Sequence, residues 1–280
     1  MNTWLPSAHS STCNPTGAPR PAAVYANYRA LHRRAATRSD AAAQSEPRSA
    51  PLALCCGMNA HGAEAAIASV LFGASFLGIE DDAHLQKSAQ KNRACDFLVN
   101  SVDEALRMLK IAVRKSQPIA VGLLANPADA LAQLAARGVQ PQFLFGPVDP
   151  AIPTNVQPAL ALFENRGAQR LAPAEYPALS AEEILLHSVA ASRSDLARID
   201  AQVLSLLPPE QALPRHWLQH APAYFLRQSA PERVCSLPRT QLAALCAALQ
   251  SPTLRALLHG PVTLTWTDAD AQPHTLSITP

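Results

Sequence analysis

The chain has 280 residues, enough for one large domain or two ordinary ones. Its formal net charge of +2 and charged fraction of 16% exclude a strongly basic or acidic protein, so we expect neither a nucleic-acid nor a membrane surface. The sequence shows neither a secretory signal nor a run of about 18 apolar residues. We therefore expect a cytoplasmic protein.

Residues 1–50 are rich in Ser, Pro, Ala and Arg, and this composition predicts a flexible basic arm. One helix is expected over 22–36, with Tyr25, Tyr28 and Leu31 on one side. Two interpretations remain open at this point. The arm is either a docking element for an acidic partner or a solvated tail, and short basic stretches favour the tail.

Residues 51–177 alternate between short apolar runs and amphipathic segments. Ser101 with Glu104 has capping-box spacing, and Pro127 suits the first turn of a helix. Strands separated by helices predict a parallel sheet with right-handed crossovers, that is, a Rossmann-like α/β fold. The predicted strands are 52–56, 75–79, 96–99, 119–124 and 142–145, and the predicted helices are 63–72, 82–93, 102–115, 127–137 and 158–165.

Residues 178–280 predict a small, mostly helical domain that ends in a β-hairpin. Helices are expected over 180–206 and 239–250, and strands over 262–266 and 275–278. His216 and His220 are four residues apart and share a helix face, but no third ligand is nearby. We expect Trp217 between them to be a core residue.

The six cysteines are interpreted as reduced thiols, because the chain is long and shows no secretory signal, and no Cys-x-x-Cys pair occurs. Cys55 and Cys56 lie inside an apolar run, which is typical of small buried side chains. A metal site formed by either thiol with His61 lacks a second ligand pair. We predict no metal site.

A dinucleotide site needs a glycine-containing turn before a helix, and an acid at the end of the second strand. Gly57, Asn59 and Gly62 supply the turn, and Glu80 supplies the acid at nearly the expected offset of about 20 residues. Asn126 ends a later strand, where its amide can either contact a ligand or cap the next helix. Glu80 also has two interpretations: its carboxylate can bind a ribose, or it can simply belong to an acidic helix start.

Four segments in this order resemble the NAD-binding domain of urocanase (urocanate hydratase). They are Gly57-Met58, Ile79-Glu80-Asp81, Val102-Asp103-Glu104-Ala105-Leu106, and the longer element from Val121 to Leu131. Two features depart from the family. Its turn contains more glycine, and its Thr-Asp-Gln-Thr-Ser-Ala-His-Asp segment is replaced here by a chain that reads Gly-Pro-Val-Asp-Pro from residue 146 to residue 150.

The resemblance implies a Rossmann-like NAD site that includes Gly57, Met58, Asn59, Gly62, Glu80 and Asn126. In that family NAD acts as an electrophile toward the imidazole ring of the substrate. The catalytic core of the family has no counterpart in this sequence, so catalytic residues are not assigned.

The sequence thus supports two main hypotheses. In the first, the chain is a urocanase-like NAD- or nucleotide-binding protein without complete hydratase activity of its own. In the second, it is a pseudoenzyme, an interaction or accessory subunit that keeps the fold without the cofactor. Its protein partner would bind the N-terminal arm or the C-terminal domain. A small-molecule enzyme that uses the same sheet edge is a third interpretation.

Overall fold

The computed structural model describes residues 18–41, 51–146, 156–171, 179–180, 182–226, 231–267 and 273–280. The chain divides into two compact units, and the division falls after Pro177. The rest of the predicted arm lies outside the described residues. So do residues 147–155 and 172–178 of the Pro-rich region and the predicted turn at 268–272. None of the described helices is long and apolar enough to cross a membrane.

The N-terminal unit is an α/β domain in which strands and helices alternate as the sequence predicts. Its helices are α1 (Pro21–Ala41), α2 (Ala60–Phe72), α3 (Ala83–Lys91), α4 (Val102–Lys115), α5 (Pro127–Ala136) and α6 (Gln157–Asn165). Its strands are β1 (Leu52–Cys56), β2 (Ser75–Glu80), β3 (Phe97–Val99), β4 (Ala120–Leu124), β5 (Phe143–Phe145) and β6 (Gln169–Leu171). β6 is a strand that the sequence pattern did not predict.

These strands form one parallel sheet in the order β3-β4-β2-β1-β5-β6. The chain builds the sheet outward from β1 through β2, and later returns to place β5 on the other side of β1. In open α/β sheets, ligands bind beyond the carboxyl ends of the strands where the order reverses in this way. The fold therefore directs attention to the ends of β1 and β5.

Apolar side chains from three helices cover one part of this sheet. β2 is buried along its whole length, as expected for a central parallel strand with both faces covered. The cluster includes Leu77, Ile79, Val121 and Leu123 from the sheet, Val102 and Leu109 from α4, Leu131 and Leu134 from α5, and Leu160 and Phe163 from α6.

The helix α1 corrects the prediction of a flexible arm for residues 21–41, within which a helix over 22–36 was expected. Its Tyr25, Tyr28 and Leu31 are almost completely buried, and α1 packs along α2. The ring of His32 lies between those of Tyr28 and Phe72, with centroid distances of 4.6 and 4.9 Å. The sequence prediction failed because it judged the segment by its composition, whereas Tyr25, Tyr28 and Leu31 are buried together with all of residues 24–29.

The C-terminal unit contains a four-stranded antiparallel sheet in the order β10-β9-β7-β8. The strands are β7 (Glu183–Ala190), β8 (Glu232–Pro238), β9 (Val262–Thr267) and β10 (Pro273–Ile278). The helices are α7 (Arg193–Leu206), α8 (Ala212–His220), α9 (Leu242–Leu249) and α10 (Pro252–Arg255), with 3₁₀ turns at Ala221–Tyr224 and Arg239–Gln241.

This sheet contains two strands, β7 and β8, that the sequence did not predict. The segment predicted as a helix from residue 180 begins instead with β7, in which Ile184, Leu186, Ser188 and Ala190 are buried alternately. A short segment with several apolar residues fits the period of a helix as well as that of a strand. Here the hydrogen-bonded pairing with β8 and β9 makes the segment a strand. The predicted terminal hairpin is confirmed as β9 and β10.

Candidate functional site at the carboxyl edge of the parallel sheet

The turn between β1 and α2 depends on two glycines. Gly57 has φ of +98°, a left-handed conformation that favours glycine, and its amide donates to the Ile79 carbonyl at 2.7 Å. Gly62 lies in the first turn of α2, directly against the Gly57 carbonyl oxygen, where a Cβ would overlap that oxygen. The turn is therefore closed tightly against its helix without a third glycine.

The N-terminus of α2 points toward this turn and keeps donors available. Asn59 is the N-cap, and its side-chain oxygen accepts the Gly62 amide at 3.2 Å. Within the described residues, the amides of Ala60 and His61 have no hydrogen-bond partner. Free amides at a helix N-terminus form a binding site for an anion such as a phosphate.

Met58 connects the turn to the neighbouring strand. Its amide donates to Glu80 Oε2 at 2.8 Å. Its side chain is buried over Gly78 in β2, where a Cβ would collide with the Met58 sulfur. The amide of Met58 is therefore used inside the protein, and its side chain fills space above the sheet.

Glu80 is the centre of a backbone hydrogen-bond network at the end of β2. Its Oε1 accepts the amides of Asp81 and Asp82, each at 3.0 Å. Its carbonyl oxygen accepts the Ala125 amide at 3.1 Å, which extends the pairing of β2 with β4. Glu80 is only 8% exposed, so most of its carboxylate is committed to shaping the edge of the sheet.

Asn126 starts α5 at the end of β4. Its Oδ1 accepts the amides of Ala128 and Asp129 at 3.0 and 3.3 Å, and the residue is exposed. The side-chain oxygen of Asn126 therefore caps α5, whereas its side-chain NH₂ group can donate a hydrogen bond to a ligand. The structure joins Met58 directly to Glu80 and Gly57 to the preceding Ile79, whereas Asn126 is linked to Glu80 through the hydrogen bond of the adjacent Ala125.

His61 is a site residue that the sequence analysis considered only as a metal ligand. It lies in the first turn of α2, with its ring 6.5 Å from that of Phe145 at the end of β5. Burial lowers the pKa of His61 to about 4, with hydrogen bonding to the Gly146 backbone acting against this and Arg20 adding to it. Its Nε2 is buried without a partner in the described part of the chain. The ring is therefore neutral at pH 7 and lies at the switch point.

A buried carboxylate lies one helical turn further along α2. The Glu64 side chain is 2% exposed and accepts both the amide and the Nε of Arg20, at 3.2 and 2.9 Å. Burial raises the pKa of Glu64, and Arg20 opposes the rise. This pair ties the start of α1 to α2. No signal in the sequence indicated it, because the partners are 44 residues apart.

The remaining residues that the sequence analysis considered are the His216–His220 segment and the cysteines Cys55 and Cys56. Trp217 is fully buried in α8 and packs near Phe225, as the sequence predicted, and the rings of His216 and His220 are 4.3 Å apart. Burial raises the pKa of Cys55 and of Cys56, the latter to about 12, so both are protonated thiols. Among the described residues, no group of three or more His, Cys, Asp or Glu side chains has the arrangement of a metal site.

Comparison with known protein families finds a match in the N-terminal unit. Residues 34–147 match the family model of the urocanase Rossmann-like domain. Over these residues the chain is similar to the urocanase Rossmann-like domain. The match covers α2 to β5 and every candidate site residue, so the predicted resemblance and the Rossmann-like fold are both confirmed. The C-terminal unit lies outside the matched segment.

Proposed function

We propose that the urocanase-type domain binds NAD(H) or a closely related dinucleotide at the carboxyl ends of β1, β2 and β5. The observation that carries the proposal is the left-handed turn at Gly57, which leads into a helix whose first amides are free. Urocanases use NAD, and the turn lies beside the switch point of the sheet.

The described residues fit a dinucleotide in specific ways. The amides of Ala60 and His61 would hold a phosphate oxygen through hydrogen bonds alone, because the neutral ring of His61 adds no positive charge beside them. Glu80 holds the turn in place, and one lone pair of Oε2 remains for a ribose hydroxyl. The exposed amide of Asn126 would donate to a more distant part of the ligand. Gly57, Met58, Asn59 and Gly62 shape the turn rather than contact the ligand through their side chains.

NAD titration by isothermal calorimetry tests this proposal on the full chain. We expect a dissociation constant at or below about the millimolar range, the weak end for a specific site. Glu80→Ala should weaken binding at least about tenfold, or about 1.4 kcal/mol. Asp81→Ala removes the neighbouring exposed carboxylate and should leave binding within about twofold.

Circular dichroism and a thermal melt must show that both variants are folded. The proposal is wrong if NAD does not bind at millimolar concentration, or if Glu80→Ala binds NAD as the parent does.

A second candidate is a non-catalytic accessory subunit that keeps the fold and has lost the cofactor, and one observation favours it. The amide of Met58 is bound to Glu80 and its side chain occupies the space over Gly78, so neither is available to a cofactor at the turn. Its partner would bind the N-terminal segment or the C-terminal unit. Absence of NAD binding, together with a stoichiometric complex with a protein from the native host, would support this candidate over the first.

We also propose a cytoplasmic location. Five described cysteines are free thiols, and four of them are buried. Unpaired thiols are typical of a reducing compartment.

A further inference from the structure

A groove on the outer surface of the N-terminal unit is separate from the candidate nucleotide site. It lies between α4 and the end of α5 and has a volume of about 680 Å³. One side of α4 forms most of its wall, because residues spaced three or four apart share a helix face. The opposite wall is formed by Arg137, Gly138 and Val139.

The floor of the groove is aliphatic. Leu106 and Val139 are half-buried, and Ile111 is 40% exposed. The inner face of α4 supplies the core through Val102 and Leu109, whereas Ile111 is not part of this core cluster. An exposed aliphatic patch rimmed by polar groups is typical of a protein-binding surface.

The rim of the groove is cationic. Arg107, Lys110 and Arg114 project along α4, and the only lining carboxylate, Asp103, is already paired with Arg137. Glu104 approaches Arg107 at 3.9 Å, whereas Lys110 and Arg114 have no ion pair within the described residues. The groove therefore carries excess positive charge, although the chain as a whole has a net charge of only +2.

We propose that this groove binds an acidic segment of a partner protein that carries at least one large aliphatic or aromatic anchor. Charge complementarity selects the acidic residues through Lys110 and Arg114, and the floor at Leu106 and Ile111 receives the anchor. A single-stranded nucleic acid fits less well, because the lining contains no aromatic ring on which a base could stack. The groove makes this chain an adaptor that attaches the Rossmann-like domain to another protein.

Peptide selection on the intact chain tests the proposal. A phage library of random peptides of about 12 residues matches α4 from Asp103 to Arg114, which spans about 17 Å at a rise of 1.5 Å per residue. We expect enriched peptides in which Asp and Glu outnumber Lys and Arg, each with a Leu, Ile, Met or Phe.

The most enriched peptide is then synthesised with a fluorescent label and measured by anisotropy. The double variant Lys110→Glu, Arg114→Glu should weaken its binding at least about tenfold, and Ile111→Ser at least about threefold. The matched control is Lys87→Glu, Lys91→Glu on α3, which makes the same charge change at exposed positions outside the groove and should stay within about twofold. Thermal melts show whether each variant is folded.

Several results would overturn the proposal. They are a lack of enrichment, enrichment of neutral or basic peptides, and equal weakening by the two charge-reversal pairs. A single-stranded oligothymidine that binds more tightly than the peptide, and loses affinity in the Lys110 and Arg114 variant, would identify a nucleic-acid surface instead. NAD binding is unaffected by any of these results, because the groove residues do not belong to the β1–α2 turn.

Discussion

The amide of Met58 donates a hydrogen bond to the carboxylate of Glu80, across 22 positions of sequence. This bond joins the turn after β1 to the end of β2, and the same carboxylate also holds the amides of Asp81 and Asp82. The acid that the sequence assigned to a ribose is thus first a structural acceptor for three backbone donors. Any ligand contact of Glu80 depends on this network.

Glu80→Gln should destabilise the N-terminal unit by about 1–3 kcal/mol, because its NH₂ group must face an amide that now donates to an oxygen. Urea unfolding measured by circular dichroism provides the test, with Asp81→Asn as an exposed control that should remain within about 0.5 kcal/mol of the parent. An unchanged urea midpoint for Glu80→Gln would contradict the hydrogen-bond network described here.

Gly62→Ala should force the β1–α2 turn apart, because the new methyl group would overlap the Gly57 carbonyl oxygen. We expect a loss of about 1–3 kcal/mol in the free energy of unfolding, the usual cost of overpacking. Gly146→Ala is the matched control, since a Cβ there would make only ordinary contacts, the nearest at 3.5 Å. Equal stability of the two variants would show that the turn is looser than the structure indicates.

His61 should make the stability of the protein depend on pH between about 4 and 6.5. Burial lowers the pKa of His61 to about 4, from 6.5 in the unfolded chain. In this range the unfolded chain binds a proton that the folded chain does not, so stability falls as the pH decreases. The full contribution, about 3 kcal/mol, is lost by pH 4.

The comparison that isolates this effect is His61→Gln against the parent, in urea unfolding series at several pH values. The stability of His61→Gln should fall less steeply below pH 6.5, whereas His84→Gln, at an exposed position, should follow the parent. Parallel curves for the parent and His61→Gln would mean that His61 is accessible to water.

Arg233→Met should destabilise the C-terminal unit by about 3–5 kcal/mol, because it leaves the Asp200 carboxylate buried without its partner. The two side chains are 6% and 8% exposed and 3.1 Å apart. Burial raises the pKa of Asp200, and Arg233 opposes this rise. The double variant Arg233→Met, Asp200→Leu should recover most of the lost stability, since no charge then remains buried. A double-mutant cycle in urea would refute the pairing if the two single effects simply added.

The sequence predicted much of the N-terminal unit because its strand patterns and helix-start residues agree with the fold that forms. The first strand was predicted at 52–56 and occurs as Leu52–Cys56, and Ser101, Asn126 and Pro127 mark helix starts as expected. β6 was missed, because three residues carry too little pattern. The helix predicted over β7 shows the same limit, since a segment of eight residues with five apolar side chains fits the period of a helix or of a strand.

The sequence could indicate which residues lie at the carboxyl edge of the sheet, but not which atoms they contact there. Gly57, Gly62, Glu80 and Asn126 were assigned because they follow strands whose carboxyl ends must share one edge. The partners of Glu80, the burial of His61 and the Arg20–Glu64 pair could not be assigned, because each joins residues that are distant in sequence or depends on which side chain excludes water.

By itself, the sequence determined the Rossmann-like α/β pattern, the helix caps and the family resemblance of residues 53–145. These follow from the periodicity of side chains and from short motifs, which are local properties of the chain. The tertiary structure alone decided that α1 is docked, that the C-terminal unit is built on a sheet and that Glu80 serves the turn first. The physical reason is that burial and hydrogen-bond partners are set by strand pairing and packing between distant segments, which no local pattern records.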